Sequence, residues 1–80
     1  MTIRYSKQAI KVIAGMDKTT KQRIHAAIER LPEGDVKLLH GRISTHRLRV
    51  GGWRILFSFI DTDIIFIEKI APRGEVYKGV

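Results

Sequence analysis

The chain has 80 residues, a formal net charge of +7 and no cysteine. This length provides for a single domain, residues 1–80, with a modest core, and an apolar content of 44% excludes a disordered chain. The lack of cysteine excludes disulfide bonds and thiolate metal sites. The N-terminus has no signal-peptide pattern, and the longest apolar runs, 55–60 and 64–67, are too short to cross a bilayer. We therefore expect a cytoplasmic protein without a membrane partner.

The first half of the chain predicts one short strand and two helices. Residues 3–5 are extended in character, and Ser6 stands where the N-cap of a first helix is expected. Gly15 ends that helix, Asp17 can cap the next, and Pro32 ends the second helix. The apolar positions at helical spacing are Ala9, Ile10, Ile13 and Ala14, then Ile24, Ala27, Ile28 and Leu31. The charged positions are predicted to form only a solvated surface: Lys7, Lys11, Lys18, Lys21, Arg23 and Glu29.

The second half of the chain changes to the alternating period of β-strands. After a turn at residues 33–35, strands are predicted over residues 46–50, 53–60 and 64–71, and residues 75–77 can add a short extended piece. The last two long strands are apolar on both faces, which is typical of central strands. The order β-α-α-β-β-β therefore predicts an α+β fold in which a helical hairpin packs on one face of an antiparallel sheet.

Basic residues are concentrated in this second half. Between residues 36 and 60 the sequence contains no acid, so these cations are expected to have no carboxylate partner; they are Lys37, Arg42, Arg47, Arg49 and Arg54. Because Leu48 and Val50 face the core, Arg47 and Arg49 project together from the opposite face, about 7 Å apart. Arg54 returns on the next strand after the Gly51-Gly52 turn. This pattern indicates a surface that grips a nucleic-acid backbone, although a charged strand that resists edge pairing would show the same pattern.

Three ordered motifs resemble the RelE/ParE superfamily of toxins from type II toxin–antitoxin systems. They are Leu39-His40-Gly41-Arg42, the stretch His46-Arg47-Leu48-Arg49-Val50-Gly51-Gly52-Trp53-Arg54, and Arg73-Gly74-Glu75-Val76-Tyr77. The resemblance spans essentially the whole chain and agrees with the predicted order of elements. Its RelE branch, which the motifs favour, implies a ribosome-dependent mRNA endonuclease, a hydrolase-type toxin that inhibits translation. The ParE branch implies a gyrase inhibitor that is not a nuclease.

The resemblance to the RelE branch also implies roles for individual residues. Such enzymes cleave RNA by attack of a 2′-hydroxyl on the adjacent phosphorus, which requires stabilisation of charge on the phosphorane oxygens. Arg54 and Arg73 are expected to stabilise that charge, and Tyr77 to stack on a base or position the nucleophile. The predicted RNA-binding set is Arg42, His46, Arg47 and Arg49.

The general base is the weak part of this assignment. Several members of the superfamily have lysine where this chain has Arg47 and Arg49, and a guanidinium cannot act as a base at neutral pH. Many also have a basic residue where this chain has Pro72. His46 is the remaining candidate, but alternation directs its ring toward the helices, which favours a packing role. Trp53 is predicted to be buried in the same direction.

No cofactor is expected, and no metal, because the three histidines lack the spacing of metal ligands and Asp61 with Asp63 is better explained as a turn. The expected partners are a cognate antitoxin, the ribosome and mRNA. Two functions besides the endonuclease stay open: inhibition of DNA gyrase without RNA cleavage, and an RNA- or ribosome-binding module that does not cleave. The basic surface suits all three, whereas Arg54, Arg73 and Tyr77 favour the first.

Overall fold

Two helices and five strands form the protein in a computed structural model, which describes residues 2–39 and 45–74. In chain order the elements are β1 (Thr2–Tyr5), α1 (Lys7–Ala14), α2 (Lys18–Glu29), β2 (Val36–Leu38), β3 (Thr45–Val50), β4 (Trp53–Asp61) and β5 (Ile64–Pro72). The strands form one sheet in the order β1-β5-β4-β3-β2. The predicted α+β class is confirmed, and β4 and β5 lie in central positions as expected.

Two features of the sheet differ from the prediction. The edge strand β1 pairs parallel with β5, so the sheet is mixed and not wholly antiparallel. The second difference is β2, a three-residue strand that pairs antiparallel with β3. This strand was not predicted because three residues are too few to show the alternating period clearly. It extends the sheet by one strand beyond β3. It also brings Asp35, the residue before β2, next to Arg49 of β3.

The predicted N-caps of both helices are confirmed. The hydroxyl oxygen of Ser6 accepts a hydrogen bond from the Ala9 amide (3.0 Å), and a carboxylate oxygen of Asp17 accepts one from the Thr20 amide (3.5 Å). Hydrogen bonding from Thr20, foremost from its side chain, lowers the pKa of Asp17 below its ordinary value. Gly15 ends α1 as expected, and α2 ends at Glu29, shortly before Pro32. Neither helix of the described residues is long and apolar enough to cross a membrane.

Both helices pack on the same face of the sheet and enclose the core. The helices contribute Ala9, Ile13, Ile24 and Ile28, and the strands contribute Leu48, Val50, Ile55, Phe57, Ile65, Ile67 and Ile70. The pairing of β4 with β5 contains a β-bulge: Leu56 pairs with Lys69 but the next residue, Phe57, pairs with Ile67, so β5 has one extra residue. Because of this bulge, Ile67 and Ile70 both face the helices although they are three residues apart. Leu56 is also buried, but on the other face, where its neighbours across the strands are Arg47 and Lys69.

The start of α1 completes the hydrogen bonding of β5 where β1 ends. After Tyr5, the Ser6 amide donates to the Ile67 carbonyl (2.9 Å) and the Ser6 hydroxyl donates to the Glu68 carbonyl (2.7 Å). The side-chain amide of Gln8 then pairs with the backbone of Ile70 in both directions, donating at 2.9 Å and accepting at 3.0 Å. Gln8 therefore replaces one residue of a neighbouring strand and ties α1 to the sheet.

We expect Gln8→Ala to lower the free energy of unfolding by about 1–3 kcal/mol, because the N–H and C=O of Ile70 lose their partners in a partly buried position. In a domain of this size that loss corresponds to a fall in Tm of roughly 5–15 °C. Gln22→Ala is the matched control, since Gln22 is an exposed residue of α2. Thermal unfolding followed by circular dichroism measures both variants, and equal stability of the two would contradict this role for Gln8.

Candidate nucleic-acid interface

The face of the sheet opposite the helices carries the basic residues of β3 and β4. Arg49 lies directly across from Arg54 in the antiparallel pairing, and Arg47 lies across from Leu56. Side chains directly opposite each other in such a pair have Cβ atoms roughly 5 Å apart. Lys37 of β2 lies on the other side of Arg47. The sheet thus brings Arg47, Arg49 and Arg54 together on one surface, which we call the arginine face.

Arg54 is held by the hairpin turn beside it. Its Nη1 atom donates hydrogen bonds to the carbonyl oxygens of Gly51 (2.9 Å) and Trp53 (3.0 Å). Its Nε and Nη2 atoms make no hydrogen bond to the described part of the chain. Because a guanidinium has five N–H donors in a fixed plane, Arg54 is oriented by the backbone while the rest of its donors can bind an anion.

An acid that the sequence interpretation overlooked pairs with the other two arginines. A carboxylate oxygen of Asp35 lies 3.7 Å from Nη2 of Arg47, and its second oxygen lies 4.0 Å from Nε of Arg49. The Arg49 amide also donates to the Asp35 carbonyl (3.0 Å). The expectation that no carboxylate lies near these arginines was therefore wrong, because Asp35 immediately precedes β2 and the pairing of β2 with β3 carries it to Arg49.

The carboxylate of Asp35 is a weak partner for these guanidiniums. The side chains of Asp35 and Arg49 are 57% and 56% exposed, whereas Arg47 is 14% exposed. Exposed ion pairs at such distances contribute only about 0–1 kcal/mol, because water and salt screen them. Asp35 therefore lowers the repulsion between neighbouring cations but leaves Arg49 accessible to a more strongly charged anion such as a phosphate, whereas only a small part of Arg47 is accessible.

Arg73 lies beyond the same hairpin but toward the helices. Its amide donates to the Gly52 carbonyl (2.9 Å), and its φ of 40° is in the left-handed region. It lines a cleft of about 460 Å³ between α2 and the β3–β4 hairpin, together with Arg23 and Trp53. The structure thus places Arg73 around the end of the hairpin from the arginine face. The other predicted site residues, Arg42 and Tyr77, lie outside the described residues.

The aromatic candidates face the helices. The ring of His46 stacks on Phe57 (centroids 5.4 Å apart, planes at 21°) and contacts the edge of Phe59 (5.4 Å, 85°). Its Nδ1 atom is buried and has no hydrogen-bond partner among the described residues. His46 was grouped with the RNA-binding residues, but its ring lies on the opposite face of the sheet from Arg47, and the packing role is the one that the contacts support. Trp53 packs against the core on the same side, as predicted.

Arg23 is a basic residue that the sequence interpretation treated as mere solvated surface. A Cβ atom at Gly51 would lie 3.0 Å, 3.1 Å and 3.2 Å from its Nη1, Nη2 and Cζ atoms. The guanidinium of Arg23 therefore lies against the backbone of the hairpin turn. Its position on the polar side of α2 does not indicate a functional role, because only the packing of α2 on the sheet brings Arg23 to Gly51. In residues 2–39 and 45–74, no group of three His, Cys, Asp or Glu side chains is arranged to hold a metal ion.

Comparisons with known proteins assign the family. Residues 3–77 match the model of the ParE toxin family of type II toxin–antitoxin systems, so the chain belongs to that family and to the RelE/ParE superfamily of toxins. A comparison with curated proteins gave no match.

Solved structures of RelE toxins show the same fold. The chain is similar to RelE in the RelB–RelE antitoxin–toxin complex from Methanococcus jannaschii (TM-score 0.75, 22% identity, 92% of this chain and 94% of that chain covered). It is also similar to RelE in the archaeal RelE–RelB complex from Pyrococcus horikoshii OT3 (0.71, 26%, 91% and 94%). A further similar structure is that of the intact E. coli RelBE toxin–antitoxin complex (0.67, 16%, 89% and 94%).

We expect Asp35→Asn to strengthen the binding of a single-stranded oligoribonucleotide several-fold at low salt, because the carboxylate no longer competes with phosphates for Arg47 and Arg49. The free energy of unfolding should change by no more than about 1 kcal/mol. Fluorescence anisotropy at several salt concentrations measures the affinity. Asp63→Asn is the control, because it removes the same charge at the β4–β5 turn, the far end of β4 from Arg54. Equal gains in both variants would show that only net charge matters.

Proposed function

We propose that this toxin is a ribosome-dependent mRNA endonuclease that cleaves RNA by attack of a 2′-hydroxyl on the adjacent phosphorus. The observation that carries the proposal is the arginine face, on which Arg49 and Arg54 lie directly opposite each other with Arg47 beside them. Three guanidiniums on one rigid sheet surface supply fixed positive charge and hydrogen-bond donors for the phosphate oxygens. The fold shared with RelE toxins supports the same activity.

In this mechanism the arginines stabilise the negative charge of the RNA and of the transition state. Attack of the 2′-hydroxyl forms a phosphorane, and departure of the 5′-oxygen leaves a 2′,3′-cyclic phosphate and a 5′-hydroxyl end. Arg54, oriented by the carbonyls of Gly51 and Trp53, stabilises the charge that develops on the phosphorane oxygens, and Arg73 does so from the other side of the hairpin. Arg47 and Arg49 bind the flanking phosphates. Tyr77, together with Arg42, is proposed to contact the RNA on the grounds of the sequence motifs alone.

No lysine or histidine side chain of β3 or β4 lies on the arginine face, and the carboxylate of Asp35 beside it is paired with Arg47 and Arg49. We therefore propose that the ribosome takes part. A guanidinium does not accept a proton from the 2′-hydroxyl at neutral pH, and the ring of His46 packs on the other side of the sheet. The rate must then come from electrostatic stabilisation and from holding the RNA with its 2′-oxygen in line with the leaving oxygen. A decoding site that already holds mRNA in a fixed conformation would supply that geometry.

A cognate antitoxin is the proposed partner outside the ribosome. The similar RelE structures are complexes with RelB. On this chain, an acidic segment would mask the arginine face by competing for Arg47, Arg49 and Arg54. Apolar contact is available as well, because Leu38 and Phe59 are 55% and 37% exposed. Both lie on the His46 side of the sheet, so a segment that contacts them and the arginine face must pass around the β2 edge. We infer that the antitoxin segment is amphipathic and folds as it binds.

A second candidate is inhibition of DNA gyrase without RNA cleavage. The match of residues 3–77 to the ParE toxin family favours it, as does the composition of the arginine face, whose guanidiniums accept no proton at neutral pH. In that case the same cations would bind a protein or a DNA backbone and perform no chemistry. Either activity implies that the toxin acts in the cytoplasm.

Primer extension on mRNA in a translating extract tests the proposal. We expect cuts at codons in the ribosomal A site that fall by roughly 100- to 1,000-fold in Arg54→Ala, which is the usual effect of removing one donor to a developing oxyanion. Arg4→Ala is the control, because Arg4 lies on the edge strand β1 beyond β5, and its register partner Phe66 pairs with Ser58, four residues along β4 from Arg54. Growth arrest with intact mRNA and an accumulation of gyrase–DNA breaks would refute the endonuclease and support the second candidate.

A further inference from the structure

The cleft between α2 and the β3–β4 hairpin carries cations that the mechanism above does not fully use. Its main lining residues are Thr19, Thr20, Arg23, Gly52, Trp53 and Arg73, and none of the described residues that line it is acidic. Its volume is about 460 Å³, which is enough for one nucleotide. It opens at the end of the sheet where the hairpin turns and β5 ends.

The exposed guanidinium of Arg23 lies at the mouth of this cleft, against the hairpin turn. The positive φ of Gly51 (58°) favours glycine there, and a Cβ at that position would lie 3.0–3.2 Å from the guanidinium of Arg23. Arg23 forms no ion pair with the described residues, although Glu33 and Asp35 line a smaller adjoining cavity. A guanidinium that has no carboxylate partner among the described residues and lines a cleft is suited to binding a phosphate.

The other walls of the cleft suit the remaining parts of a nucleotide. Thr20 is engaged by the Asp17 cap, but the exposed Thr19 can offer its hydroxyl. Trp53 is half-buried against the core, and its accessible part forms an apolar wall of the cleft. A flat indole surface beside a guanidinium is the combination on which proteins stack single-stranded bases.

The cleft is continuous with the arginine face through Gly51. The carbonyl oxygen of this residue accepts a hydrogen bond from Arg54, and its α-carbon lies against Arg23. A strand bound along Arg47, Arg49 and Arg54 therefore reaches Arg23 and Arg73 if it continues around the end of the hairpin. Four arginines would then follow one path from β3 to α2 with Arg73 beside its end.

We propose that this cleft is a nucleotide subsite for single-stranded RNA, in which Arg23 binds a phosphate and Trp53 contacts a base. The inference rests on the proposed function in one respect, that the ligand is RNA. Arg23 is then a binding residue adjacent to the reacting phosphate, and the sequence motifs of the superfamily quoted above do not include it.

The single tryptophan of the chain makes the test direct. Titration of the toxin with a short single-stranded oligoribonucleotide should quench the fluorescence of Trp53. Arg23→Ala should weaken the binding about 3- to 10-fold, reduce the quenching, and lower the slope of log K against log salt by roughly 0.7, the value for one phosphate contact on a single strand. Arg23→Lys should retain most of the salt slope, and Arg4→Ala should leave both affinity and quenching unchanged. Thermal unfolding checks that each variant is folded.

The outcomes separate this inference from the proposed function. Quenching that depends on Arg23, found in a toxin that does not cut mRNA on the ribosome, would support the subsite and refute the endonuclease. Cutting that depends on Arg54, with binding and quenching insensitive to Arg23→Ala, would refute the subsite alone. Polyglutamate that quenches Trp53 as strongly as the oligoribonucleotide would also overturn the inference, because the cleft would then fit an acidic protein segment equally well.

Discussion

The antiparallel pairing of β3 with β4 across the Gly51-Gly52 turn determines both sides of this sheet. Its register places Leu48 opposite Ile55 on the side of the helices and Arg49 opposite Arg54 on the other side. A shift of the register by one residue would expose the apolar set and bury the arginines. The free energy that the core gains therefore also fixes which strand positions carry the arginines, and the hairpin turn then orients Arg54.

Holding like charges on adjacent strands has an electrostatic cost, and the structure reduces it in two ways. The backbone carbonyls of Gly51 and Trp53 engage Arg54, and the carboxylate of Asp35 lies near Arg47 and Arg49. The two arrangements differ in strength, because the carbonyls bind at hydrogen-bond distance whereas the carboxylate is at the limit of an ion pair and half exposed. Arg54 is thus oriented permanently, while Arg47 and Arg49 can exchange a weak internal anion for a phosphate.

The parts of this structure that could be predicted from the sequence are those set by local chemistry. Ser6 and Asp17 cap their helices because a short oxygen-bearing side chain before an apolar period does so in most contexts, and the alternation of Leu48 and Val50 was enough to place Arg47 and Arg49 on the open face. The parallel pairing of β1 with β5 could not be predicted, since the partners are about sixty residues apart and either direction would bury Ile3 and Tyr5. The contact of Asp35 with Arg49 and that of Arg23 with Gly51 were missed for the same reason. Each depends on how two elements pack, and neither leaves a periodic signal along the chain.

The composition of the site bears on how such a toxin can be both active and restrained. Arginines stabilise a developing negative charge in any state of the cell, because they remain protonated at every physiological pH. A site made of arginines is therefore not switched by its own protonation, and in the proposed endonuclease the rate would depend on whether the bound RNA is held in the reactive geometry. In that proposal, restraint comes from competition for the cations, weakly from Asp35 within the chain and strongly from the proposed acidic segment of an antitoxin. The chain shares its fold with RelE chains solved in complex with RelB, which supports the proposal that its cationic surface takes the reactive geometry from a bound substrate and its inhibition from a partner.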